Sequence, residues 1–90
     1  MPRTEDIFRI ANDEIAAKGT ELGWRFPVPF LCECSNQRCF TRLELTLEEY
    51  AELRSHPGRY LAAHGHEVVG ASVIEEGEHL AVAEKLYARG

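Results

Sequence analysis

All three cysteines of this 90-residue chain fall within eight positions, as Cys32-Glu33-Cys34 and then Cys39 after four intervening residues. Ser35 and Asn36 between them are turn formers, so the three thiols sit on one tight turn. An odd number of cysteines fits a disulfide framework poorly. A bond between Cys32 and Cys34 would close a strained ring. Thiolates converging on one ion are the better use, and zinc takes four ligands in a tetrahedron from thiolate and imidazole. The competing reading is three small buried thiols, which the crowding of the cysteines disfavours. The fourth ligand then has to arrive from far along the chain, where histidines stand at 56, 64, 66 and 79. His56 lies between a helix and a proline, and His79 opens a strand after a turn. Both positions point to solvent. His64 and His66 flank Gly65 in a loop that can bend toward a metal, and periodicity does not choose between them. Glu67 is placed to hold the far nitrogen of a ligating imidazole.

Composition makes such a staple useful. Hydrophobic residues are 44% of the chain, and ten alanines and three cysteines among them leave 27 large apolar side chains. That is enough for one small domain over residues 1–90, with a core too thin to be comfortably stable. The formal charge of −5 opposes nonspecific nucleic-acid binding, which needs cations to replace phosphate counterions. Arg25, Arg38, Arg42, Arg54 and Arg59 are interspersed with acids rather than clustered. There is no apolar run long enough to span a membrane, and the polar start lacks the apolar stretch of a signal peptide. A cytoplasmic protein with reduced cysteines is therefore expected.

Local signals divide the chain. Thr4 can cap a helix over 4–20 with Glu5 and Asp6 in its first turn, and Ile7, Phe8, Ala11 and Ile15 share one face. Pro27 and Pro29 then impose an extended path. Residues 29–45 read as a hairpin with the cysteine turn at its tip. Thr46-Leu47-Glu48-Glu49 has the form of a capping box that opens a helix over 47–55. Strands are expected at 59–62, 68–76 and 79–85, and either of the last two could form a sheet edge. The class is α+β: an N-terminal helix, a zinc-knuckle hairpin, a second helix and a small, mostly antiparallel sheet with one structural zinc site.

The chain also resembles a family of small, mostly uncharacterised bacterial zinc-binding proteins that are abundant in actinobacteria. The matching residues are Asn12-Asp13-Glu14-Ile15, Phe30-Leu31-Cys32-Glu33-Cys34 and Cys39. They continue with Arg42-Leu43-Glu44-Leu45-Thr46-Leu47-Glu48-Glu49-Tyr50, His56-Pro57, Arg59-Tyr60-Leu61, Gly65-His66-Glu67 and Val82-Ala83-Glu84-Lys85. The match runs over roughly residues 4 to 85, and the string from Arg42 to Tyr50 is its most specific part. The resemblance implies Cys32, Cys34, Cys39 and His66 as the ligands of one zinc ion. It departs from the family at Ser35–Arg38 and at His64, which leaves His64 as a competitor. It implies a site and a fold but no reaction.

A closed site of four protein ligands leaves no place for water or substrate, which points away from an enzyme. The expected role is a protein-interaction or regulatory module with another protein as partner. Its candidate surfaces are the aromatics Trp24, Phe26 and Phe30 or the acidic face of Glu48, Glu49 and Glu52. The alternative is a redox- or zinc-responsive thiol switch. An enzyme would need an open zinc with Glu33 or Glu67 as base, and the His-x-Glu and Cys-x-x-Cys patterns of zinc deaminases are missing.

Overall fold

The computed structural model describes residues 3–85. Residues 1, 2 and 86–90 of the expected single domain lie outside the described residues. The structure is α+β, with two helices and two antiparallel sheets.

Helix α1 spans Thr4–Leu22. Its N-cap is Arg3 in an extended conformation, not Thr4, and no side chain caps it. Glu5 and Asp6 still occupy the first turn, where negative charge suits the helix dipole. The helix ends at Gly23, whose φ of 72° places it in the left-handed region. Gly23 N–H donates to Thr20 O and Trp24 N–H to Gly19 O, the paired bonds of a Schellman ending. Of the apolar face expected at Ile7, Phe8, Ala11 and Ile15, Ile15 packs against the core and Phe8 and Ala11 are half-buried. Ile7 is half exposed, and the fully buried positions are Glu5, Asn12 and Gly19. The two polar residues can face inward because each finds partners there. Gly19 faces inward because the neighbours crowd it: a Cβ would come within 2.7 Å of the Trp24 ring and 3.1 Å of Leu47.

Strands β1 (Val28–Leu31) and β2 (Arg42–Leu45) pair antiparallel, with Phe30 opposite Leu43. Cys32 N–H donates to Thr41 O and carries the ladder one step toward the cysteine turn. Helix α2 (Leu47–Arg54) opens with the expected capping box: Glu49 N–H donates to Thr46 Oγ1, and Thr46 N–H to Glu49 Oε1. It sets Tyr50 against Phe30, the rings stacked with centroids 4.3 Å apart.

The second sheet holds β3 (Arg59–Ala63), β4 (Ala71–Glu76) and β5 (Leu80–Lys85) in the order β3-β5-β4. Of the two edges expected, β5 is instead the central strand and β4 is the outer one. β4 also begins three residues later than the β-branched Val68 and Val69 suggest. Gly70 takes a positive φ of 84°, and Ala71 N–H closes a turn on Val68 O. Val69 N–H leaves the sheet for Ser35 Oγ in the cysteine turn, so residues 68–70 belong to that neighbourhood. The core joins both sheets through Phe30, Tyr60, Leu61 and Val28, and all three cysteines lie in it.

Candidate metal centre

Two turns make the site. In the first, Asn36 Oδ1 accepts from Arg38 N–H and Asn36 O from Cys39 N–H, which folds Cys39 back over Cys32 and Cys34. In the second, Gly65 adopts φ 83° and His66 N–H donates to Ala63 O, so the chain reverses as it leaves β3. The donor atoms of Cys32, Cys34, Cys39 and His66 then all lie within 4.8 Å of one another. The imidazole presents Nδ1, which is 3.6 Å from Cys32 Sγ and 3.5 Å from Cys39 Sγ. The three cysteines are buried and His66 is exposed.

The other histidines are occupied elsewhere. His64 Nδ1 lies 3.1 Å from Gly77 O and 3.4 Å from Glu76 Oε2. His56 sits half-exposed beside Glu52, and His79 well exposed beside Glu78. Glu67, expected behind the imidazole, acts through its backbone: its carbonyl accepts Ser35 N–H at 2.9 Å.

Electrostatics shows what the cluster lacks without a cation. Burial is the largest influence on Cys32. It pushes the thiol up to about 12, although Ala63 N–H donates to its sulfur at 3.2 Å and pulls the other way. Burial likewise pushes Cys34 up. At Cys39 burial is outweighed by bonds from the backbone and hydroxyl of Thr41 and from Cys34 and His66, which bring it down to about 7. Three crowded sulfurs cannot all ionise unaided, and a bound cation reverses that balance. The donor set of three sulfurs and one nitrogen, held at mutual ligand distance, can hold a metal ion.

Local sequence reading missed the network around this cluster. Glu33, placed between two of the cysteines and weighed as a base, is 0% exposed. Asn12 Nδ2 donates to its Oε2 at 2.7 Å, Arg54 Nη2 to the same atom at 2.6 Å, and Leu61 N–H to Oε1 at 2.9 Å. Its own N–H donates to Leu61 O. A carboxylate saturated by three donors and sealed from water has no proton to abstract. Its role is to tie the cysteine turn to α1, α2 and β3. Burial raises its pKa above the usual carboxylate range against the pull of Arg54, whose guanidinium is in turn held charged by Glu33. All three side-chain bonds need an acceptor, so the ionised form is the one that fits.

A second anchor runs through Ser35. Its Oγ donates to Glu5 Oε1 and accepts from Val69 N–H, while Glu5 Oε2 accepts from Lys85 Nζ at 2.6 Å. A polar residue at an inward position of a helix, Asn12 or Glu5, was the one sequence signal available for either network.

Compared with protein-family models, curated proteins and solved structures, the chain matches none.

Proposed function

We propose that this chain is a small zinc-binding domain whose ion is structural, held by Cys32, Cys34, Cys39 and His66. One observation carries the reading. Bond lengths of about 2.3 Å to sulfur and 2.0–2.1 Å to nitrogen give a tetrahedron whose sulfur–nitrogen edges are about 3.5–3.6 Å. Two of the three sulfur–nitrogen distances, those from Cys32 and Cys39, are 3.6 and 3.5 Å, and the third lies within 4.8 Å. Bound, the ion would supply charge compensation for the thiolates and a crosslink between the turn at 32–39 and the loop at His66. Four protein donors fill the coordination sphere, so no catalytic role is assigned. The supporting partner is another protein, because a charge of −5 repels nucleic acid and no helix of the described residues is long and apolar enough to cross a membrane. A cytoplasmic setting and membership of the bacterial family that the sequence resembles belong to the same reading. The approach of His66 rather than His64 to the cysteines supports both the family's Gly-His-Glu and this ligand set.

Native mass spectrometry of protein purified without chelator tests it. One zinc per chain is expected. A folded, metal-free protein would refute it. A second reading, a thiol switch, is favoured by the closeness of the three sulfurs to one another. A peroxide would oxidise two thiolates to a disulfide, be reduced to water, and release the ion. Zinc release at micromolar peroxide supports the switch, and retention at millimolar peroxide excludes it.

A further inference from the structure

A groove runs along the seam between the two sheets, away from the cysteine cluster. Its floor is apolar: Leu45 of β2, Leu53 of α2, Leu61 of β3, and Leu80 and Val82 of β5. Its rim carries four exposed carboxylates, Glu44, Glu49, Glu52 and Glu75, against one guanidinium, Arg59. Glu49 is used by its capping box and Glu52 lies 3.9 Å from His56. Glu44 and Glu75, on opposite sides of the groove, make no ion pair among the described residues. Arg59 Nε is buried and donates to nothing among the described residues, with Glu84 Oε2 3.8 Å away.

We infer that this groove binds a basic, amphipathic peptide segment of a partner protein. Each part of the groove meets a feature of such a segment. Apolar side chains, and the alkyl stems of lysine or arginine, cover the leucine floor while their charged heads reach the rim. The excess of carboxylates favours a cationic ligand and repels phosphate, which excludes a nucleic acid. The carboxylates do not form a cation site: among the described residues, the Cys/His cluster alone brings three metal donors together. The inference takes from the proposed function that the chain acts by binding another protein, but it uses no metal ligand.

The test uses the full chain with its metal, a short synthetic peptide of alternating Lys and Leu, and Glu/Leu and Lys/Ser counterparts. Titration followed by methyl NMR should move Leu45, Leu53, Leu61, Leu80 and Val82. The Lys/Leu peptide should bind about tenfold or more tightly than either counterpart. The exposed double variant Glu52→Lys/Glu75→Lys should keep its fold and its metal and lose at least that factor. The inference is overturned if the peptide does not bind, if the shifts fall outside the groove, if the charge reversals leave affinity unchanged, or if sedimentation shows a second copy of the chain occupying the groove. The zinc content of the same sample reports separately on the metal reading, so either can fail alone.

Discussion

Glu33 shows most clearly how one residue can serve both the fold and the site. It occupies the position between Cys32 and Cys34, yet its side chain turns away from them into a pocket of donors supplied by α1, α2 and β3. Glu33→Ala removes the acceptor and leaves Arg54, only 15% exposed at its side chain, without its nearest anion. Breaking one half of a buried pair costs about 3–5 kcal/mol, and a loss of that size is expected in urea denaturation of the metal-bound protein. Among the histidines the contrast is sharper. His66→Ala should release the metal, while His56→Ala and His64→Ala should keep it, as read by metal analysis after gel filtration. If His64→Ala empties the site instead, the ligand set is wrong at that position. Cys34→Ser should behave as His66→Ala does.

Glu5 gives a pH dependence at the same scale. Burial would raise its pKa, but the Lys85 ammonium, the Ser35 hydroxyl and its helix-end backbone together bring it below the ordinary 4.5. A depressed carboxylate contributes stability above its unfolded value and loses it as the pH falls through the folded one. The stability gap between the wild type and Glu5→Gln should therefore be full near neutrality and close as the pH drops below about 4.5. A gap that stays constant into acid would contradict the assignment.

At the scale of elements, legibility followed the range of the interactions. The Thr46–Glu49 capping box, the extended path that Pro27 and Pro29 impose on β1, and the Asn36 turn are made by residues a few positions apart, and each is plain in the sequence. Thr46→Ala should destabilise by about 1 kcal/mol, the usual value of an N-cap, checked by thermal denaturation. The inward face of α1 was not legible in the same way. Apart from Gly19 its buried residues are polar, and their partners lie 19 to 80 positions away: Leu31 and Glu33 for Asn12, Ser35 and Lys85 for Glu5. An apolar periodicity cannot register a face that is stabilised by hydrogen bonds. The start of β4 was hidden for a related reason, since Val68 and Val69 have strand composition but Val69 N–H is claimed by Ser35. Strand β3 shows the reverse case. Its outward N–H groups are met by the cysteine turn, Leu61 by the Glu33 carboxylate and Ala63 by Cys32 Sγ. The site is thereby built onto a sheet edge that would otherwise be open.

For the whole molecule, the thin core and the metal site are one problem. The 27 large apolar side chains must stabilise a domain whose backbone also carries two buried ionic networks. Zinc binding at a site of this kind contributes on the order of 10 kcal/mol, comparable to the entire stability of a small domain. A strong chelator should therefore abolish the cooperative unfolding transition, and zinc should restore it. With Cys32 near 12, Cys34 raised and Cys39 near 7, the proposed metal should displace thiol protons on entry at pH 7. Calorimetry in buffers of different ionisation enthalpy should count about two to three protons released per ion.

X-ray absorption at the zinc edge of the purified protein probes the coordination sphere itself. Three sulfurs at about 2.3 Å and one nitrogen at about 2.0–2.1 Å are predicted, with no light-atom shell from water. A sphere with fewer than three sulfurs, or with an oxygen in place of the imidazole of His66, would contradict the closed site of three cysteines and one histidine.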